Sequence, residues 1–186
     1  LFPRRLDRTP PPHAEVAEIA ERIAPDGEIL TPLGEAQARA SLQAARDRGL
    51  ASIAIVLMHG YRYPAHERRL AAIAADLGFT QISTSHDVSA LIKLVGRGDT
   101  TLADAYLSPV LHHYVRQFVG QLGDGIDPQF MKSSGGLAAA SAFHGRDAIL
   151  SGPAGGIVGM VGSAAPLGRD RLIGFDMGGT STDVSH

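Results

Sequence analysis

The chain has 186 residues, 44% apolar and 19% charged, with a formal charge of −2 and no basic run, so a core is affordable and a polyanion-binding surface, and with it a nucleic-acid partner, is not expected. Cysteine is absent, which excludes a disulfide framework, thiolate metal ligands and a cysteine nucleophile. No apolar stretch reaches the roughly 18 residues of a membrane span and no signal peptide is visible, so a cytoplasmic location without a membrane partner is the default expectation.

Leu1 to Pro12 is basic and proline-rich and reads as a lead-in or linker. From His13, the residues Val16, Ile19, Ala20 and Ile23 recur at helical spacing, with Pro25-Asp26-Gly27 as the stop. Thr31-Pro32 reads as an N-cap and first-turn proline, followed by a helix over Glu35–Arg48 closed by Gly49. The apolar, β-branched run Ser52–Met58 predicts a buried parallel strand. A helix over Pro64–Leu77, closed by Gly78, and a strand over Phe79–Ser83 complete an alternation that implies parallel pairing with right-handed crossovers.

Asp99–Leu122 predicts the longest helix, with Leu102, Tyr106, Val110, Tyr114 and Phe118 on one side and a kink or break near Ser108, before Pro109. A strand over Gln129–Lys132, a turn at Ser134-Gly135-Gly136, a helix over Ala138–Phe143 and a strand over Ala148–Leu150 follow. Ser151–Ala165 has helical apolar spacing despite five glycines. Each costs about 1 kcal/mol relative to alanine inside a helix, and close approach of a backbone or ligand is the usual reason. A last strand, Arg171–Phe175, runs into Asp176-Met-Gly-Gly-Thr-Ser-Thr-Asp183. The first residue is Leu, and the chain stops inside that strand pattern, so it reads as a fragment of a longer polypeptide whose tail is disordered or paired elsewhere.

The terminal segment carries the chemistry. A carboxylate at a strand end is followed by two glycines, three hydroxyl residues and a second carboxylate. Gly178-Gly179 suits a tight hairpin with positive φ, leaving backbone N–H groups free to touch an anion. Thr180, Ser181 and Thr182 add hydroxyl donors, and Asp176 is placed to hold Mg²⁺. A plain hairpin whose glycines serve only the turn is the competing reading.

The run F-D-M-G-G-T-S-T-D-V resembles the second phosphate loop of the actin-like ATPases, and S-G-P-A-G-G-I-V-G resembles the connector helix before it. Ser85-His-Asp-Val-Ser89, Lys93 to Pro109, Met131 to Leu137 and Leu150 to Gly159 resemble the hydantoinase A/5-oxoprolinase family, in the family's order, and R-G-D-T-T-x-x-D-A-Y-L-S-P points to its 5-oxoprolinase branch. The resemblance implies an α/β, ribonuclease-H-like fold with a mixed, largely parallel sheet and flanking helices, truncated here. It places a linker and helix over 1–34, a partial N-terminal-type domain over 35–150, and the connector helix plus first hairpin of the second half over 151–186.

The implied reaction is ATP- and Mg²⁺-dependent opening of a cyclic amide, 5-oxo-L-proline to L-glutamate with release of ADP and phosphate. Asp176 and Asp183 would be the catalytic carboxylates, with Asp176 on the metal and Gly178, Gly179, Thr180, Ser181 and Thr182 around phosphate. Partners would be the small cyclic amide and the rest of the polypeptide or a companion hydantoinase B-type domain or subunit. An ATP-dependent hydantoinase or carboxylase subunit shares these motifs, and a nucleotide-gated interaction protein is the alternative from another class. The family's first phosphate hairpin and adenosine pocket are not found in this sequence, so the chain alone is expected to be inactive and to bind ATP weakly. Lys132 stands where glutamine or arginine is expected.

Other candidates have structural readings beside the functional ones. Asp99 suits the N-cap of the long helix, while Arg97 beside it is a candidate for a substrate carboxylate or phosphate. Ser134 and Gly135 form an anion nest or a plain strand-to-helix turn. His59, His66 and His86 could share a sheet edge as metal ligands, but scattered histidines are more often hydrogen-bonding residues. His112 and His113 read as surface residues. No Gly-x-Ser-x-Gly elbow or Walker-type lysine loop occurs.

Overall fold

The computed structural model describes residues 10–123, 125–169, 171–179 and 181–186. They form two compact units, one running up to Tyr106 and one from Leu107 to His186.

In the first unit the helix expected from His13 does not form. The segment runs extended into Arg22–Ile23 (β1), which pairs antiparallel with Ile29–Thr31 (β2) around Gly27 at φ +100°. Glu35–Asp47 (α1) begins at Gly34, because Thr31 is already committed to β2 and cannot cap it. The side chain of Gln37 on α1 holds the arm: Ala20 N–H donates to its Oε1 (3.0 Å) and its Nε2 donates to the Glu18 carbonyl (3.1 Å). Gly34 N–H donates to the Ala20 carbonyl at 2.8 Å. These partners take backbone groups that a helix would have used internally, so tertiary pairing overrides an apolar period of only four residues.

Ser52–Ile55 (β3), Ala65–Asp76 (α2) and Gln81–Thr84 (β4) follow, with β3 and β4 parallel and in register from Ser52↔Gln81 to Ile55↔Thr84. Leu42, Ala45, Ile73, Ala74 and Phe79 form one core cluster, and Ala38, Ile55 and Leu70 a second. Gly49 (φ +86°) and Gly78 (φ +82°) close α1 and α2 where the sequence places the stops. After Ser85–Val88 (α3) comes Leu94–Gly120 (α4), which supplies its first half to this unit and its second to the next.

The long helix departs from expectation in three ways. It begins at Leu94, so Asp99 lies within it and is not its N-cap. It runs unbroken through Pro109. Its expected apolar side is exposed beyond the half-buried Leu102: Tyr106 is 60% accessible in the first unit, and Val110 is 74% and Tyr114 60% in the second. The buried positions in the first unit are instead Arg97, Thr101, Asp104 and Ala105. Polar strand ends face this helix, so polar residues face them.

In the second unit, Gln129–Met131 (β5) and Leu137–Ala139 (β6) pair antiparallel, with Gly135 at φ +81° in the turn. The helix expected over 138–143 is therefore β6 and a 3-10 turn, Ala140–Ala142. The strand expected over 148–150 is replaced by Gly145–Ala148 (α5), capped by a reciprocal His144–Asp147 box, and by the start of Ser151–Ala164 (α6). Leu150 N–H donates to Ser133 Oγ (2.9 Å) instead of to a sheet partner. Val115, Ala138 and Phe143 are the core. Gly174–Met177 (β7) and Thr182–Ser185 (β8) pair antiparallel and contact α6 through β7.

The fold is mixed α/β, but the expected largely parallel sheet is not assembled among the described residues. Its strands form four two-stranded pieces, of which β3–β4 is parallel. No helix among the described residues is long and apolar enough to cross a membrane.

Candidate functional site

The terminal motif forms an antiparallel hairpin in which Asp176 lies directly across from Asp183. Side chains alternate faces along a strand, so the two carboxylates share one face with Gly174 and Ser185, while Phe175, Met177, Thr182 and Val184 lie on the other. Like charges placed directly opposite each other destabilise a sheet pair unless a cation or donor lies between them. The carboxylate face rests on the glycine-rich helix: a β-carbon on Gly156 would stand 3.0 Å from Asp176 Oδ2.

The loop between the strands closes through Gly178 N–H to the Ser181 carbonyl at 3.0 Å. Neither Gly178 nor Gly179 has positive φ, which corrects the expectation of a left-handed turn. A β-carbon on Gly179 would meet no atom within 4 Å. The loop's glycines are thus required neither by backbone conformation nor, at Gly179, by internal packing. Ser181 Oγ reaches Asp183 Oδ2 at 3.5 Å, on the carboxylate face. Thr182 points to the opposite face, and Thr180 lies outside the described residues.

Two exposed carboxylates and a hydroxyl form an all-oxygen, hard-donor set. Mg²⁺ is characteristically held by one or two carboxylates with water and substrate phosphate completing its octahedron. The residues therefore fit Mg²⁺ bound together with a nucleotide. They do not form a closed protein cage: no group of three or more histidine or acidic residues is placed to hold a metal among the described residues.

Arg97 is elsewhere, at the ends of the two parallel strands. It is fully buried, and its guanidinium donates to Ser85 Oγ (2.9 Å) and to the carbonyls of Leu57 (2.6 Å), Met58 (3.0 Å) and Leu91 (2.5 Å). Its face lies over the Tyr61 ring at 5.4 Å. Beside it, the fully buried Glu67 carboxylate accepts from Leu57 N–H (2.9 Å), Ser85 Oγ (2.6 Å) and His86 N–H (3.0 Å), and lies 2.7 Å from His86 Nδ1. Glu67 escaped the sequence reading because it sits in the charged stretch of an amphipathic helix. Gly60 leaves room for it, since a β-carbon there would lie 2.3 Å from Glu67 Oε1, a closeness that only the fold reveals.

The three histidines do not converge on a metal. His59 Nδ1 meets the Ile23 carbonyl (2.6 Å), His66 Nδ1 meets Glu21 (2.7 Å) and His86 Nδ1 meets Glu67. Ser134 and Gly135 form the tip of the β5–β6 hairpin, so the strand-to-helix turn becomes a strand-to-strand turn. Lys132 Nζ lies 3.2 Å from Asp147 Oδ1.

Residues 97–186 match the family described as hydantoinase/oxoprolinase, and residues 2–78 match the hydantoinase/oxoprolinase N-terminal region. The chain is 44% identical to 5-oxoprolinase 1 of Arabidopsis thaliana over 164 residues, which is 86% of this chain and 12% of that protein. It is 35% identical to caprolactamase subunit alpha of Pseudomonas jessenii over 193 aligned residues, covering 97% of this chain and 28% of that one. The crystal structure of the ATP-dependent caprolactamase from the same organism superposes with a TM-score of 0.80 at 33% identity, over 97% of this chain and 28% of that one. The nucleotide-free acetone carboxylase structure superposes at 0.79 and 27% identity, over 90% and 25%. The chain thus spans only about an eighth of the 5-oxoprolinase and just over a quarter of the caprolactamase subunit.

Proposed function

The chain belongs to the hydantoinase/oxoprolinase family, and from that premise we propose that it supplies phosphate- and magnesium-binding residues to an ATP-dependent hydrolase that opens 5-oxo-L-proline to L-glutamate. The observation that carries the reading is the facing pair Asp176 and Asp183 beside an open glycine loop. Identity to a 5-oxoprolinase and likeness to an ATP-dependent caprolactamase support a ring amide as substrate and ATP as the driving nucleotide.

A five-membered lactam is a stable amide, and ATP with Mg²⁺ supplies the phosphoryl group that makes its carbonyl carbon open to attack by water. The chain's own contribution is positioning and charge placement. Asp176 holds the cation, Asp183 supports it across the hairpin, and Ser181 steadies Asp183. Gly179 presents its backbone N–H to phosphate oxygens, while Gly178 N–H closes the loop onto the Ser181 carbonyl; the Thr180 hydroxyl is assigned to phosphate from the motif alone. Buried as it is, Arg97 serves the frame and not the substrate.

The remaining parts of the whole protein, or a companion subunit, supply the rest of the nucleotide and amide sites. In this reading the units are pieces of a ribonuclease-H-like, actin-type fold, with residues 35–150 in its first half and α6 with the β7–β8 hairpin opening its second. The acetone carboxylase likeness favours one further reading, a subunit of an ATP-using carboxylase.

Coupled ADP release by the full-length protein, with 5-oxo-L-proline and separately with hydantoin or acetone plus bicarbonate, tests the proposal. ADP formed with 5-oxoproline and abolished by Asp176→Ala is the expected result. Release driven by another substrate moves the protein to a sister activity. Release that needs no substrate overturns the hydrolase reading in favour of a nucleotide-gated interaction protein.

A further inference from the structure

We propose that Gly156 is a positioning residue for Asp176: the missing side chain leaves the room in which that carboxylate is aimed at a divalent cation. The inference rests on the magnesium role of Asp176 proposed above and adds a residue outside the phosphate loop.

Five glycines lie on α6, and their surroundings differ. A β-carbon at Gly152, Gly159 or Gly162 would meet nothing within 4 Å, and one at Gly155 would make an ordinary 3.5 Å contact with Met131 Cγ. At Gly156 it would stand 3.0 Å from Asp176 Oδ2 and 3.9 Å from its Cγ. One turn later Met160 meets the same strand face, because a β-carbon on Gly174 would lie 2.7 Å from Met160 Sδ and 2.6 Å from Ser185 Oγ. Gly156 and Met160 are four apart on one helix face, and Gly174 and Asp176 are two apart on one strand face. The carboxylate face of β7 is therefore seated on that stripe of α6.

A methyl group at position 156 shifts the carboxylate by a few tenths of an ångström. Magnesium-type coordination requires near-ideal octahedral geometry, so a displacement of that size is felt by the cation. The helix itself gains from alanine in place of glycine. Folding and cation binding are thus pushed in opposite directions, which separates a positioning role from a packing role.

The test is Mn²⁺ binding to the full-length protein, followed by electron paramagnetic resonance with and without ADP, alongside the metal-free melting midpoint. Gly156→Ala is expected to weaken Mn²⁺ binding about tenfold, as loss of a supporting contact around a metal ligand typically does, with the midpoint unchanged or raised. Gly162→Ala, on the same helix with open space around it, is expected to bind like wild type. Wild-type Mn²⁺ affinity in Gly156→Ala, while Asp176→Asn loses it, overturns the positioning role and leaves the metal reading intact. A fall in the metal-free midpoint of Gly156→Ala overturns it too, since the glycine is then needed for packing. Wild-type Mn²⁺ affinity in Asp176→Asn overturns the metal reading itself.

Discussion

Arg97 Nε donates to Ser85 Oγ at 2.9 Å, joining the first turn of α4 to the start of α3, just past β4. Ser85 passes its own hydrogen to Glu67 Oε1 at 2.6 Å, so a buried guanidinium and a buried carboxylate communicate through one hydroxyl. The rest of the fork is spent on main-chain carbonyls at the end of β3 and ahead of α4.

Lysine cannot reproduce that planar fork. Arg97→Lys is therefore expected to lower stability by about 3 kcal/mol, the scale for breaking a buried charged network, measured by urea unfolding. Unchanged stability with lost activity would instead return Arg97 to the substrate.

Gly145 opens α5 against the second half of α4. A β-carbon there would lie 2.8 Å from Ser108 N and 2.9 Å from Leu107 Cβ, and Gly145 N–H donates to Ser108 Oγ at 2.9 Å. The obstacle is partly backbone and cannot swing aside. Gly145→Ala is expected to cost about 1–3 kcal/mol, the range for overpacking. An unaltered urea midpoint would show that α5 can lift without penalty.

Glu35 and Arg69 form a two-pronged pair, Nε to Oε1 at 2.9 Å and Nη2 to Oε2 at 2.7 Å. The Arg69 hydrogen bonds and charge hold the Glu35 carboxyl below its ordinary range, and Glu35 raises Arg69 in return. A depressed carboxylate contributes stability above its unfolded pKa and loses it as pH falls through the folded one. The melting advantage of wild type over Glu35→Gln should therefore hold from neutral pH down to about pH 4.3 and vanish below. Both side chains are about half exposed, so the advantage is small and is expected to disappear in about 1 M salt. An advantage that survives high salt would point to a packing effect of the substitution.

Much of the local structure was legible where local chemistry decides it. Apolar runs and glycine stops located α1, β3, α2 and β4, and the parallel pairing followed from their alternation. The helical spacing of Ser151–Ala165 survived its glycines. The arm before β1 and the segment 138–150 were misread because their backbone groups find partners far away in sequence: Gln37 in one case, β5 and Ser133 in the other.

Residue types and their order set the chemistry available: two aspartates, a double glycine and hydroxyls within eight residues, and the order of motifs that marks the family. Tertiary structure decided which of those groups share a face. Hairpin register sets Asp176 across from Asp183 and turns Thr182 away, and α6 beneath the strand gives Gly156 its meaning. It also buried Arg97 among carbonyls. A residue type fixes what a side chain can bind, but its partners are fixed by pairing and packing across distant segments, whose separations no local pattern encodes.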